Sequence, residues 1–170
     1  MKFGLFKPLA IGGLIFPLAL FAEPQDPRKV PVGSRLKTST GHFFTLVSRS
    51  DKGAEAWKDE ASGVTWSDKL SKRIRRKDAA SLCSKSFPGE NVFDGKHLSE
   101  LPALDDFRTA ETHGFREVLP NMKDGYFWIR STVPNAPNIG HVFSGNLGRE
   151  ILIVYRSINF EHVRCISRAP

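Results

Sequence analysis

Two residues of this chain, Cys83 and Cys165, can form a covalent cross-link, and they stand 82 positions apart. In an oxidising compartment, a lone pair of cysteines in predicted core elements favours one disulfide. Closing so long a loop would stabilise the fold by about 4–5 kcal/mol through lost entropy of the unfolded chain. Two free structural thiols are the alternative. A redox centre is disfavoured, because the chain has no Cys-x-x-Cys motif.

Other catalytic and metal-binding patterns are missing from the sequence. A hydrolase needs a nucleophile and a base held by a third group, and no Gly-x-Ser-x-Gly motif is present. The histidines lack the His-x-x-x-His spacing and the neighbouring cysteines typical of zinc sites; they are His42, His97, His113, His141 and His162. Asp105 and Asp106 suit the start of a helix better than a calcium site. The sequence therefore predicts no catalytic residue, no metal and no cofactor.

The densest run of charge extends from Lys69 to Lys77, where six of nine residues are basic. Such a run would attract a polyanion in a salt-sensitive way, for example a sulfated glycan, a lipopolysaccharide phosphate or a teichoic acid. The alternative is a solvated loop that only keeps the domain soluble. Nucleic acid is the weakest candidate partner and is not predicted, because export would remove the chain from its own genome.

A second candidate binding region lies in the last third of the chain. A polar loop at 133–138 offers amide groups, and its neighbours add guanidinium and ring groups that suit a polyhydroxylated or anionic ligand. The candidate ligand-binding residues are Trp128, Arg130, Asn135, Asn138, Asn146, Arg149, Tyr155 and Arg156. The alternative is that the asparagines only make turns and that the large aromatic side chains fill the core.

The first 22 residues have the layout of a signal peptide. Lys2 and Lys7 precede an apolar run from Pro8 to Phe21, and the small residue Ala22 follows. An uncleaved membrane anchor is the alternative, but the run is shorter than the roughly 20 residues that span a bilayer. Cleavage removes two of the 25 basic side chains and none of the 18 acidic ones, which leaves a net charge of +5. We therefore predict an exported protein, periplasmic or secreted, without a stable membrane span.

The remaining chain predicts a linker at 23–40 and one mixed domain at 41–170. Two helices are expected, at 78–85, with Cys83 facing inward, and from Leu101 to His113. The predicted strands alternate with turn-forming residues and lie at 42–47, 56–59, 64–67, 126–131, 141–143, 151–155 and 163–166. The second and third of these flank a turn with Ser62-Gly63, which predicts a short hairpin that carries Trp57 and Trp66.

Several short motifs follow one another in the same order as in a known protein family. They are Trp57-Lys58-Asp59, Gly63 to Ser67, Ala79-Ala80 with Cys83, Leu101 to Phe107, Arg116 to Met122, Tyr126-Phe127-Trp128 and Val163-Arg164-Cys165. This series, from about Ala56 to Ser167, resembles the Lcl C-terminal domain family of secreted bacterial proteins. The resemblance implies a C-type-lectin-like α+β fold, related to formylglycine-generating enzymes, with two helices on small antiparallel sheets and one disulfide.

The chain departs from the pattern of that family in two places, one before the second helix and one at the serines that follow the tryptophan. Relatives read Arg-Leu-Pro-Thr where this chain has Glu100-Leu101-Pro102-Ala103, so the usual threonine N-cap is absent, at a cost of ~1 kcal/mol. Relatives also read Trp-Ser-Ser-Ser where this chain has Trp128-Ile129-Arg130-Ser131.

The functional prediction is a non-enzymatic binding domain. Some relatives are the binding ends of adhesins, which implies recognition of a carbohydrate or another anionic surface polymer. An adhesin of this kind is expected to form a homo-oligomer, because several weak sites together bind more tightly through avidity. The alternatives are a structural envelope protein with a protein partner and an enzyme with an unrecognised site.

Overall fold

The computed structural model describes residues 30–70, 72–84, 92–93, 96–133, 136–151 and 160–168. The predicted signal peptide at 1–22 lies outside these ranges. The described elements are, in chain order, β1 (Arg35–Lys37), β2 (Phe43–Arg49), β3 (Glu55–Asp59), β4 (Val64–Ser67), β5 (Ile74–Arg75), α1 (Arg76–Ser84), β6 (Val92–Phe93), β7 (Lys96–His97), α2 (Leu104–Thr112), a 3-10 turn (Phe115–Glu117), β8 (Tyr126–Val133), β9 (Ala136–Ser144), β10 (Arg149–Ile151), β11 (Phe160–Glu161) and β12 (Ile166–Arg168). Neither described helix is long and apolar enough to cross a membrane.

The largest sheet has five antiparallel strands in the order β1-β2-β3-β4-β12. Its centre is the β3–β4 hairpin, in which Trp57 pairs with Trp66 across the strands. Both indole rings are buried. The predicted hairpin with two tryptophans is therefore confirmed, as is the prediction that these rings fill the core.

The other sheets in the described part are smaller and also antiparallel. They have the orders β10-β9-β8, β11-β5 and β6-β7. The predicted class, α+β with two helices, small antiparallel sheets and one disulfide, is confirmed at this level.

The folded part begins before the boundary at residue 41 that the sequence suggested. Strand β1 pairs with β2 in full, from Arg35 opposite Thr45 to Lys37 opposite Phe43. Val30 is only 7% exposed and belongs to the main hydrophobic cluster. Prolines and mixed charge resemble a linker in sequence, but here the segment after Val30 completes the edge of the sheet.

Helix α1 carries the disulfide. It spans Arg76–Ser84, and its side chains Ala79, Leu82 and Cys83 are buried in a second core cluster. Cys83 bonds to Cys165 with an S–S distance of 2.10 Å and a Cα–Cα distance of 5.4 Å. The inward orientation of Cys83 and the disulfide are both confirmed.

Helix α2 starts without a capping side chain, because Ala103 occupies the N-cap. The Asp106 carboxylate instead accepts a hydrogen bond of 2.7 Å from the Ala103 N–H, which satisfies one free donor of the first turn. The helix ends at His113 and Gly114, as predicted. Gly114 has φ +80°, and a Cβ there would lie 2.8 Å from the Cβ of Thr38, so a larger residue would be strained.

Aromatic rings join α2 to both larger sheets. The rings of Phe107 and Phe143 stack with centroids 4.5 Å apart, and Trp66 lies 5.1 Å from Phe107. Phe107 belongs to α2, Phe143 to β9 and Trp66 to β4, so one cluster ties three elements together. Such pairs add about 0.5–1.5 kcal/mol to the free energy gained by burial.

Three predicted strands differ from the observed ones. The strand predicted at 141–143 is longer, because β9 keeps pairing with β8 as far as Ala136 opposite Val133; the predicted loop at 133–138 is therefore partly strand. The strand predicted at 163–166 begins only at Ile166, and residues 163–165 approach the sheet through single hydrogen bonds. The cause is Arg164, whose buried guanidinium donates to the carbonyl oxygens of Ser67 and Pro120 and takes the chain out of a regular ladder. Of the strand predicted at 151–155, Ile151 ends β10, and the rest lies outside the described residues.

Candidate functional site

The predicted basic run forms an exposed surface, here called the basic face, made of Lys72, Arg73, Arg75 and Lys77. Lys72 and Arg73 lie just before β5, Arg75 lies in β5, and Lys77 lies in the first turn of α1. Within the described residues, none of these four side chains lies within 4 Å of a carboxylate. Their charges are therefore directed to solvent and are available to an anionic partner.

Two other cations of the run are held by the protein. The Arg76 guanidinium donates from Nη2 to the carbonyl oxygen of Arg130 at 2.8 Å, and burial lowers its pKa. Lys69 is 19% exposed, and its Nζ lies 3.8 Å from the Asp124 carboxylate. The run thus divides into anchored residues and exposed ones, a distinction that the sequence alone could not make.

An exposed aromatic ring lies beside the basic face. Phe160 of β11 is paired with Arg75 of β5 across the small sheet, and it is 45% exposed. The guanidinium carbon of Arg75 lies 5.2 Å from the centroid of the ring. This cation–π contact orients Arg75, and the ring adds an apolar surface next to the charges.

The side chains of Glu161 and His162 continue this region toward the interior. Burial, together with the cations Lys69 and Arg73, lowers the pKa of His162 to about 4, so its ring is neutral at physiological pH. Burial raises the pKa of Glu161, and Arg73 partly opposes that effect. Both shifts have the sign expected where burial disfavours the charged form of a group.

Three of the predicted ligand residues have described side chains, namely Trp128, Arg130 and Asn146, and the structure does not bring these three together. Trp128 is 1% exposed, and its indole N–H donates to the carbonyl oxygen of Ile74 at 2.7 Å. Its ring therefore has no face for a sugar, and the alternative interpretation, that it fills the core, is confirmed.

Arg130 and Asn146 are exposed but belong to different ends of the β8–β9 hairpin. Tyr126 pairs with Ser144 at the end next to Asn146, and Arg130 lies four residues farther along β8, roughly 13 Å away. Three of the remaining candidates, Asn135, Tyr155 and Arg156, lie outside the described residues. For the other two, Asn138 and Arg149, only the backbone is described.

A buried carboxylate, missed in the sequence, organises the turn between β3 and β4. The Oδ2 atom of Asp59 lies 2.6 Å from His113 Nδ1 and accepts a hydrogen bond of 2.6 Å from the Ser62 hydroxyl. The His42 ring stacks on His113, with centroids 4.0 Å apart. Asp59 and His113 are 54 positions apart, so no local pattern could have signalled the pair.

This arrangement is an anchor rather than a catalytic triad. A Ser-His-Asp hydrolase requires the hydroxyl to bond to the imidazole, which then removes its proton. Here the hydroxyl of Ser62 and the imidazole of His113 both bond to the same carboxylate oxygen of Asp59. The three residues thereby fix the β3–β4 turn to the end of α2. Among the described residues, no three histidine, cysteine, aspartate or glutamate side chains are grouped to hold a metal ion.

Beside this anchor lies a cavity of about 390 Å³ with both polar and apolar lining. It is lined by Ser62, Gly63 and Val64 from the hairpin turn, Asp106 and Thr109 from α2, and Arg168 from β12. Arg168 donates from Nη2 to both oxygens of Asp106, at 2.7 and 2.8 Å. Through Nη1 it also reaches Glu100, which in turn accepts from Arg130 at 3.2 Å. A continuous set of ion pairs therefore leads from the cavity to β8.

Comparisons of the chain with protein-family models, with curated proteins and with solved structures returned no significant match. The resemblance to the Lcl C-terminal domain family stays a prediction from the motifs.

Proposed function

We propose that this protein is an exported, non-enzymatic binding domain that captures an anionic surface polymer on its basic face. One observation carries the proposal: Lys72, Arg73, Arg75 and Lys77 are exposed together, and none of them forms an ion pair within 4 Å with a described carboxylate. A cluster of one sign raises the local concentration of a polyanion and its association rate.

The basic face sits on ordered elements, which favours a binding surface over a solvated loop. Strand β5 pairs with β11, and its Ile74 carbonyl accepts the buried indole N–H of Trp128. Helix α1 follows directly and is cross-linked through Cys83. Cations held on such a support lose less conformational freedom when a polymer binds across them.

Export and the finer fold assignment belong to the same proposal. The leader-like first 22 residues and the Cys83–Cys165 disulfide support export to an oxidising compartment. A C-type-lectin-like fold of the Lcl type is supported by the order of the motifs and by a cross-link from the first helix to the segment before the last strand. An adhesive role would gain from homo-oligomerisation, since several weak sites on one polymer add avidity.

The test measures binding of the oxidised mature protein to heparin and, separately, to inorganic polyphosphate at several salt concentrations. A triple variant, Arg73→Gln, Arg75→Gln and Lys77→Gln, removes three charges from the basic face. The matched control, Lys37→Gln, Lys52→Gln and Lys123→Gln, removes three exposed charges elsewhere. We expect the first variant to lose at least tenfold in affinity, with a smaller dependence on salt, and the control to lose little.

The two polymers distinguish the source of the anion. A preference for heparin at equal charge supports a sulfated glycan, whereas a preference for polyphosphate supports a phosphate polymer of the envelope. Equal losses in the two triple variants would overturn the proposal, since binding would then follow net charge alone. Absence of binding to either polymer at low salt would overturn it as well.

A further inference from the structure

The cavity between the β3–β4 turn and α2 has a different chemistry from the basic face. Its size, about 390 Å³, lies within the range of roughly 300–1,000 Å³ that small-molecule sites occupy. Polar and apolar atoms contribute about equally to its lining. The polar part consists of hydroxyl, carboxylate, guanidinium and backbone groups, and Val64 belongs to the apolar part.

The hydrogen-bonding groups of the cavity are only partly used. The Thr109 hydroxyl has no hydrogen bond to any described residue, so it can donate and accept. Arg168 donates from Nη1 and Nη2 to carboxylates, while its Nε–H has no acceptor within the described part. Asp106 accepts from Arg168 and from the Ala103 N–H and keeps further lone pairs. The cavity thus offers both donors and acceptors.

The charges of the cavity are balanced. Asp106 and Glu100 are negative, and Arg168 and Arg130 are positive and pair with them. A polyanion would have to displace one of these carboxylates, and a cation would meet the guanidinium of Arg168. A neutral ligand with several hydroxyl groups faces neither cost, because each hydroxyl can donate to a carboxylate and accept from a guanidinium or from Thr109.

The walls of the cavity are held by the core. Ser62 is fixed by its hydrogen bond to the buried Asp59, which also bonds to His113 at the end of α2. Asp106 is fixed by the N-terminal turn of α2, and Arg168 by two carboxylates. Polar groups that are already in place lower the entropic cost of binding a small ligand.

We propose that the cavity lined by Ser62, Gly63, Asp106, Thr109 and Arg168 binds a neutral polyhydroxylated ligand of the size of one or two sugar rings. This site is independent of the basic face, and it would make the protein a two-site binder.

Sucrose and sucrose octasulfate test the inference, because they share one scaffold and differ in charge. Each is titrated into the oxidised mature protein and followed by amide chemical shifts, together with a panel of neutral methyl glycosides. We expect at least one neutral sugar to shift the amides of Gly63, Val64, Thr109 and Arg168 in a saturable way. Sucrose octasulfate should instead shift amides of the basic face.

Two threonines of the same helix supply the variant and its control. Thr109→Val removes the cavity hydroxyl at nearly constant shape and should weaken the neutral sugar about two- to tenfold, the loss of one hydrogen bond. Thr112→Val changes an exposed threonine that donates to the Thr109 carbonyl, and the affinity should stay the same. The triple variant of the basic face should also bind the neutral sugar normally.

The experiment can contradict the cavity inference without contradicting the proposed function of the basic face. The inference is overturned if no neutral sugar shifts the cavity amides up to its solubility limit, or if Thr109→Val and Thr112→Val weaken binding equally. Either result leaves the heparin and polyphosphate measurements unaffected, because those depend on the basic face.

Discussion

Trp128 donates its indole N–H to the carbonyl oxygen of Ile74 at 2.7 Å, across 54 positions of sequence. The bond ties β8, a strand of the core, to β5, the strand that carries Arg75 of the basic face. A residue that the sequence proposed as a ligand contact therefore serves to position a different candidate site. A buried side chain of the core thus fixes the strand that carries Arg75 of the basic face.

Trp128→Phe removes this donor and part of the buried ring. We expect the free energy of unfolding to fall by about 1–3 kcal/mol, because the Ile74 carbonyl loses its partner and a void remains. Urea unfolding followed by circular dichroism measures the change. Tyr126→Phe is the control on the same strand, since the Tyr126 hydroxyl has no hydrogen bond to a described residue; it should change stability little. Equal effects of both substitutions would contradict the role assigned to the bond.

Removal of the disulfide should lower the melting temperature strongly. The cross-link closes a loop of 82 positions, and its loss restores entropy to the unfolded chain worth up to about 4–5 kcal/mol. Both cysteines are buried, so the double variant Cys83→Ala, Cys165→Ala avoids placing a hydroxyl in the core. Calorimetry of the oxidised protein, the reduced protein and this variant is the measurement. The prediction fails if the oxidised and reduced proteins melt together.

The predictable part of the fold is the part that local patterns encode. Apolar spacing placed Cys83 on the inner face of α1, and Gly63 between two tryptophan-bearing segments marked the β3–β4 hairpin. Motif order and two cysteines were enough for the class and the disulfide. Strand bounds near Arg164 were not predictable, because a buried arginine that bonds to Ser67 and Pro120 depends on residues far away in sequence.

The two candidate sites also differ in how far the sequence predicts them. The basic run was visible as composition, but only the structure separates Arg76, which bonds to the Arg130 carbonyl, from its exposed neighbours. The cavity was not visible, since Ser62, Thr109 and Arg168 come from three distant segments and none belongs to a motif for binding. Residue type predicts which groups can bind a ligand; which of them meet is decided by tertiary packing.

Gly145 occupies a position that no larger residue can take without a backbone shift. A Cβ there would lie 2.1 Å from the carbonyl oxygen of Met122 and 2.8 Å from the Phe127 ring. Gly145→Ala should therefore destabilise the fold by about 1–3 kcal/mol, the usual cost of overpacking. Chemical unfolding is the measurement, with Asn146→Ala as control, because Asn146 is the exposed neighbour in the same turn. A stability of Gly145→Ala equal to that of the control would show that the turn can relax.

His162 should make the protein less stable as the pH falls from about 6.5 toward about 4. Its folded pKa is about 4, below the ordinary value of 6.5, chiefly because of burial and then because of Lys69, Arg73 and Arg164. The unfolded chain therefore binds the proton first, and stability is lost on acidification at less than about 1.4 kcal/mol per pH unit, since the ring is partly exposed. Glu161 and Asp68, whose pKa values burial raises, act in the opposite direction.

The variant His162→Asn separates the contribution of His162 to the pH dependence of stability from the contributions of Glu161 and Asp68. Urea unfolding of both proteins at pH 7, 6, 5 and 4.5 gives the difference in the free energy of unfolding at each pH. We expect the protein with His162 to lose stability relative to the variant as the pH falls through this window, because only it must keep a neutral imidazole beside three cations. A difference that stays constant with pH would mean that His162 titrates alike in the folded and unfolded chain.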